Sequence, residues 1–233
     1  MRIMGVAALL MLAGCNGGAG AAPAPVERNL ALGDFTAVEL TGPDRVDVRR
    51  GTEFAVRMSG DPKALEKLEI RRDGDTLRIG RKPNAGGWQW HKDGGVTVFV
   101  TMPDIRRATL KGSGDLAIDL ADDLAATLAG SGDLTVGRLR GRSASLSLSG
   151  SGTIAAAGKV DRLALSVSGS GDIDAAQVKA AEAQVGITGS GDVTADVTGP
   201  ASVALGGSGS VTLGKGARCA VSRTGSGEAR CGG

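Results

Sequence analysis

Tyrosine is absent from this chain of 233 residues, and aromatic side chains as a whole are scarce, with three Phe and two Trp. Any core must therefore be thin and aliphatic, and there are no rows of rings on which nucleic-acid bases could stack. Histidine occurs once, at His91, which leaves little scope for imidazole-based acid–base or zinc chemistry. Neither sign of charge dominates: 27 Lys and Arg stand against 25 Asp and Glu, interspersed, for a net charge of +2. No basic stripe of the kind that binds nucleic acid is present. Long apolar runs are missing as well. The one clear run, Ile3 to Leu12, is too short to span a bilayer.

That run is informative for another reason. "MRIMGVAALLMLAGC" has a positive charge at Arg2, an apolar stretch and a small-residue ending at Cys15, the pattern of an export signal. Leu12-Ala13-Gly14-Cys15 resembles the lipobox of bacterial lipoproteins, in which the chain is cut before the cysteine and that cysteine carries the lipid. The resemblance implies a signal peptide over 1–14, a lipidated Cys15 and attachment to membrane through the N-terminus. Asn16, not Asp, follows, which in such lipoproteins goes with the outer membrane, facing the periplasm or the surface. Residues 15–29, with "NGGAGAAPAP" at 16–25, read as a flexible tether.

What the chain has in abundance is glycine, 39 residues in all, and much of it is periodic. Gly-Ser-Gly begins at residues 112, 130, 150, 169, 189, 207 and 225, with steps of 18, 20, 19, 20, 18 and 18. Two residues before each triplet stand Leu110, Leu128, Leu148, Val167, Ile187, Leu205 and Arg223, and two after it Leu116, Leu134, Ile154, Ile173, Val193, Val211 and Ala229. Alternation on both sides of a fixed glycine turn predicts strand, corner, strand. One such unit cannot bury its own apolar stripe, so units must stack. The expected fold is all-β: a single-stranded parallel β-solenoid with coils of about 19 residues, in which parallel crossovers favour a right-handed winding. The glycines supply the positive φ of a corner, and Ser and Asp are expected to hydrogen-bond the turning backbone.

The solenoid domain is expected over 30–233, with the repeats at 111–233. Residues 30–110 alternate with period two in "FTAVEL", "RVDVRR", "EFAVRM", "LEIRR", "TLRIG", "VTVFV" and "RRATL". They read as longer, irregular coils that lead into the repeats and cap them. Only "DPKALEKL" suits a short helix, with Asp61 as N-cap and Pro62 first in the helix.

"GDFTAVELTGPDRVDVRRG", "DGDTLRI" and the serial "GSGDL" units together resemble the bacterial envelope family of the auto-transporter adhesin head GIN domain, over about residues 30 to 231. The resemblance implies a β-helical fold and an envelope setting, and it implies no catalytic residue and no cofactor. Thr153, Ser210 and Glu228 depart from the usual Asp after the triplet.

Several chemistries can be weighed on the residues. A phosphate-binding glycine loop needs a helix behind it, and each triplet here runs into a strand. Serine hydrolysis needs a base beside one serine, and His91 cannot serve seven equivalent triplets. Stacked Asp115 over Asp133 and Asp172 over Asp192 suggest calcium, although the acid follows the glycine sooner than in calcium-binding β-rolls. The same Asp115–Asp133 pair is the only formal basis for an envelope glycan hydrolase, and the repeats contain no aromatic platform for a sugar. No catalytic residue and no metal ligand is therefore assigned, and the expected role is a non-enzymatic structural or adhesive interaction module.

Its expected contact face is a wall of small hydroxyls, Thr127, Ser147, Ser149, Ser166, Ser168 and Thr188, suited to an envelope protein, a glycan or another copy of the chain. Trp88 and Trp90, two apart in "RKPNAGGWQWHKDGG", are either an exposed contact or a cap on the apolar stack. Cys219 and Cys231 both fall on inward positions of the final coil and are expected to be bonded in an oxidising envelope.

Overall fold

The computed structural model describes residues 26–83 and 95–232. It holds one 20-stranded sheet wound into a β-solenoid and a single short helix. In chain order the first part comprises β1 (Val26–Leu30), β2 (Ala37–Thr41), β3 (Arg45–Arg50), β4 (Ala55–Gly60), α1 (Pro62–Lys67), β5 (Leu68–Asp73), β6 (Thr76–Arg81) and β7 (Val96–Met102). The repeats follow as β8 (Arg107–Gly112), β9 (Asp115–Ile118), β10 (Ala121–Asp122), β11 (Ala125–Gly130), β12 (Asp133–Arg140), β13 (Ser143–Gly150), β14 (Thr153–Gly169), β15 (Asp172–Gly189), β16 (Val193–Val197), β17 (Pro200–Gly207), β18 (Ser210–Leu213), β19 (Arg218–Gly225) and β20 (Glu228–Arg230).

Within the repeats every pairing is parallel and joins equivalent residues of neighbouring coils. Leu128 sits between Leu110 and Leu148, and Gly150 between Gly130 and Gly169. The inward row Leu110, Leu128, Leu148, Val167, Ile187 and Leu205 is buried throughout. Each such side chain contributes about 1.5–3 kcal/mol on leaving water, and the rows merge into one aliphatic core.

The corners explain the triplet. In every one the first glycine has φ between +116° and +141°, a region closed to most side chains. The third glycine has ordinary dihedrals but is pressed against the coil below: a Cβ on Gly152 would collide with the carbonyl oxygen of Gly132. The amides of Ser151 and Gly152 both donate to the carbonyl of Gly130, at 3.0 and 3.1 Å, and the same pair of bonds recurs at Ser131–Gly132 and Ser170–Gly171. The serine side chains differ from expectation: all seven are exposed, and none makes a side-chain hydrogen bond among the described residues. Two of the triplet acids do cap backbone. Asp172 Oδ1 accepts from the Asp192 amide at 2.8 Å, and Asp192 Oδ1 accepts from the Ser210 amide at 2.9 Å.

The region before the repeats departs from the expected succession of longer coils. β2 and β3 already form a regular coil, in register with β8 and β9 through Leu40–Leu110 and Val46–Leu116, and turn at Gly42-Pro43-Asp44 with Gly42 at φ +118°. The chain then runs back past this coil. β6 and β7 lie parallel on its far side, against β2 and β3. Beyond them β5 pairs antiparallel with β6, β4 antiparallel with β7, and β1 antiparallel with β4. The second coil in space is thus the first in sequence. Residues 51–83 and 95–106 belong to an excursion that closes the end of the stack, and the reversals make most of its outer strands antiparallel. Four of the five residues of β1 fall in the stretch assigned above to the tether; it is an edge strand exposed from Val26 to Asn29, with only Leu30 partly buried against the core, so it carries little apolar alternation.

Helix α1 forms as expected. Asp61 Oδ1 accepts from the amides of Lys63 and Ala64, and Pro62 opens the first turn. Ala64 and Leu65 are buried, and Phe35 packs against Phe54 in a tilted pair with ring centroids 4.9 Å apart, so these residues cover the apolar end of the stack. Arg81 fixes this cover. It donates to the Ala64 carbonyl at 3.1 Å and forms a two-pronged ion pair with the fully buried Asp44, which sits in the Gly42-Pro43-Asp44 corner.

Candidate interaction face

Strand alternation fixes which side chains leave the solenoid. On the wall built by β11, β13, the second halves of β14 and β15, β17 and β19, the outward residues form three parallel rows. One row runs Thr127, Ser147, Ser166, Gly186, Ala204, Ser222 and the next Ala129, Ser149, Ser168, Thr188, Gly206, Thr224. All six hydroxyl residues singled out in the sequence lie in these two rows. Five are exposed and Ser147 is half-buried. None makes a side-chain hydrogen bond among the described residues, so their donors and acceptors face outward.

The third row is where sequence reasoning fell short. Ala125, Ser145, Ala164, Gln184, Ser202 and Ala220 lie along a groove of about 700 Å³ that crosses the strands. At roughly 4.8 Å per coil the row is about 24 Å long. Its floor is apolar, with Ala144, Leu163, Ala183 and Ala201, and its rim carries Asp123, Arg162, Glu182 and Arg218. Arg162 and Glu182 pair at 3.7 Å. A second depression of about 200 Å³ continues from it over Ser166 and Gly186. Gly186 opens that depression, since a Cβ there would meet nothing within 4 Å. The wall and the groove are therefore one surface. The only prior signal was the run of small outward residues, and a depression between coils has no sequence period of its own.

Asp115 and Asp133 are neighbours in register, but Asp115 is engaged by Arg45 at 2.6 Å. Among the described residues no three His, Cys, Asp or Glu side chains converge to hold a metal ion. A denser charged network lies elsewhere, where the excursion meets the first repeats. Arg50 donates to Asp122 at 2.6 Å and Arg140 to the same carboxylate at 3.1 Å, while Arg106 pairs with Asp104 at 2.5 Å. The Arg50 hydrogen bond, with help from Arg140, holds the Asp122 carboxyl below its usual range. The backbone N–H groups of Ser143 and Arg142 do the same for Asp123. Apart from the local Arg106–Asp104 pair, these partners are about 20 to 70 residues apart in sequence, which hid the network from a linear reading.

In the terminal coil Cys219 and Cys231 are bonded, with Cα atoms 6.1 Å apart. Cys15, Trp88, Trp90 and His91 lie outside the described residues.

Solved structures share this architecture. A putative adhesin from Bacteroides fragilis superposes with a TM-score of 0.79 at 19% identity, covering 89% of this chain and 96% of its own. A putative lipid binding protein from Parabacteroides distasonis gives 0.70 at 20% identity, with the same coverage of each chain. A putative adhesin from Parabacteroides merdae gives 0.63 at 17%, again covering 89% and 96%. At such identities the likeness is one of fold. No curated protein is similar to the chain. The family model described as "putative auto-transporter adhesin, head GIN domain" matches residues 34–217, from the first regular coil to the start of the last, and the chain belongs to that family.

Proposed function

We propose that this protein is a non-enzymatic, lipid-anchored envelope protein that serves as a structural or adhesive interaction module, with the hydroxyl wall and its groove as the contact surface. The observation that carries this reading is the wall itself: a flat array of small outward hydroxyls with no internal partner, beside a groove about 24 Å long at the coil spacing. Short side chains lose little rotamer freedom when a partner covers them, and their free donors and acceptors suit a polar polymer or another protein. Two of the structural relatives are named adhesins, which supports the same role. Cys15 would hold the module to the outer membrane through the segment at 15–25, and fatty-acid labelling lost in Cys15→Ser would establish that anchor.

The interaction is tested by placing a photo-crosslinking residue at Gly186, where the space is open, and at the exposed Thr135 of the opposite wall, in cells that make the full chain. The expected result is a discrete adduct from Gly186 and none from Thr135. Equal labelling at both positions, or none at either, would contradict the reading.

A second reading places an acyl chain in the groove. It is favoured by the floor of Ala144, Leu163, Ala183 and Ala201 and by the relative named a lipid binding protein. Native mass spectrometry of the protein taken from membranes separates the two: a bound lipid lost in Ala164→Trp supports this second reading.

A further inference from the structure

The last coil differs from those beneath it in what it turns inward. In the coils below, the position two before the corner is an aliphatic residue, and Leu110, Leu128, Leu148, Val167, Ile187 and Leu205 are all buried. In the last coil it is Arg223, in register with Leu205 and exposed. Its side chain bends across the coil end, where NH1 donates to the Gly227 carbonyl at 3.0 Å. The other inward positions of this coil are Cys219 and Cys231, joined to each other, then Ala229 and Val221. Val221 is 48% exposed, one of two large apolar side chains at the surface among the described residues. β19 is at the same time an edge strand eight residues long, without a proline or a bulge. Such an edge is a template for another strand, and an inward-pointing charge is one of the devices by which natural sheets block it.

We propose that Arg223 is the residue that ends the stack, barring a second copy of the chain from docking on the β19 edge. The docking that it bars can be specified. Two β19 strands paired antiparallel about Val221 would keep both inward sets on one side and merge the two aliphatic cores, as an isologous contact requires. In that register each copy's Arg223 lies opposite the other copy's Cys219, inside the joined core. A guanidinium buried there gains no new carboxylate, because the one acid of this coil, Glu228, faces outward, is already paired with Arg230 at 2.9 Å and acts on Arg223 only from beyond hydrogen-bond reach. Replacing Arg223 by an aliphatic residue removes that penalty and restores to the last coil the pattern of the coils below it. The family match ends at residue 217, so this device belongs to a coil outside the matched segment.

The experiment follows hydrogen exchange of residues 218–225 as the full chain is concentrated in detergent. In the wild type and in Arg223→Lys, exchange of this strand is expected to be independent of concentration. In Arg223→Leu it is expected to slow by roughly tenfold or more, together with a rise in mass by sedimentation. Should Arg223→Leu lose the cooperative melting of the wild type, Arg223→Ala carries the same expectation. Three results would overturn the proposal: a folded aliphatic variant whose β19 exchange ignores concentration, an association that leaves 218–225 unprotected, or a wild type whose β19 is itself protected on concentration.

Discussion

The two ends of the solenoid solve the same problem by different means. At the first end the chain leaves the stack after β3, runs back and closes it with α1, antiparallel strands and the Arg81–Asp44 pair. At the last end, among the described residues, the coil is closed by changed side chains: a disulfide, an arginine and an exposed valine in place of a buried aliphatic set. Every inner coil has two neighbours, and an end coil has one, so its stability must come from elsewhere. An end covered by a folded excursion gains buried area and a buried ion pair. An end closed by side chains gains only local constraint and remains the place where opening begins.

The sharpest break of this comparison places the same substitution in the middle and at the end. Ile173→Asp inserts an unpaired charge into a fully packed inner coil and is expected to cost several kcal/mol, enough to lose cooperative unfolding. Val221→Asp introduces the same group at an inward position left half open and is expected to cost under about 1 kcal/mol. Urea denaturation of both variants measures the contrast, and equal costs would mean that the last coil is packed as tightly as the inner ones.

Next in size is the lock of the first end. Asp44 is fully buried and Arg81 mostly so, and removing one partner of such a pair typically costs about 3–5 kcal/mol because the other charge is left unmatched. Arg81→Met should therefore destabilise the whole excursion, visible as faster exchange in β4, α1 and β5. Stability within about 0.5 kcal/mol of wild type would show that the cover holds without its lock.

At the other end, reducing the Cys219–Cys231 bond, which spans 12 residues, removes a constraint worth about 3 kcal/mol in the chain-entropy model. The expected response is confined to residues 218–230, because these make their contacts with a single neighbouring coil. A uniform loss of protection across the stack would contradict the view of the last coil as a separate unit. Mass analysis of the alkylated C-terminal peptide, with and without reductant, verifies the bond itself.

The smallest effect is electrostatic. Asp122, held low by Arg50, and Asp123, held low by the amides of Ser143 and Arg142, have carboxyls depressed in the folded state. Their contribution is present above the unfolded carboxylate range near pH 4 and is lost as pH falls through the lower folded values. Acidification below about pH 4 should therefore loosen the junction between the excursion and the first repeats, and Asp122→Asn should blunt that response. An unaltered acid transition in Asp122→Asn would show that this network does not govern it.

How much of this was legible in the linear chain depended on what each feature demands of sequence. The corners demand glycine twice, once for φ and once for close approach, so they recur visibly. The corner at Gly42-Pro43-Asp44 makes the same turn with only its first glycine in common, and it escaped the count for that reason. Period-two alternation marks strands in either direction, so the strands of 30–110 could be recognised while their antiparallel pairing could not. β1 buries only part of Leu30 and left no trace. The hydroxyl wall followed from register alone, because Thr127, Ser147 and Ser166 keep one phase relative to the corner. The groove beside it and the Arg50–Asp122 network depend on which coils come together and how closely, information that the sequence carries only through the finished stack.

The most direct test of two unlike ends is residue-resolved hydrogen exchange of the unmodified protein under native conditions. The account predicts the slowest exchange in the inner strands β11, β13, β14 and β15, nearly as slow in β2, β3, β6 and β7 beneath the cover, and markedly faster in β19 and β20. Fraying that is equal at both ends, or faster in β6 and β7 than in β19, would contradict it.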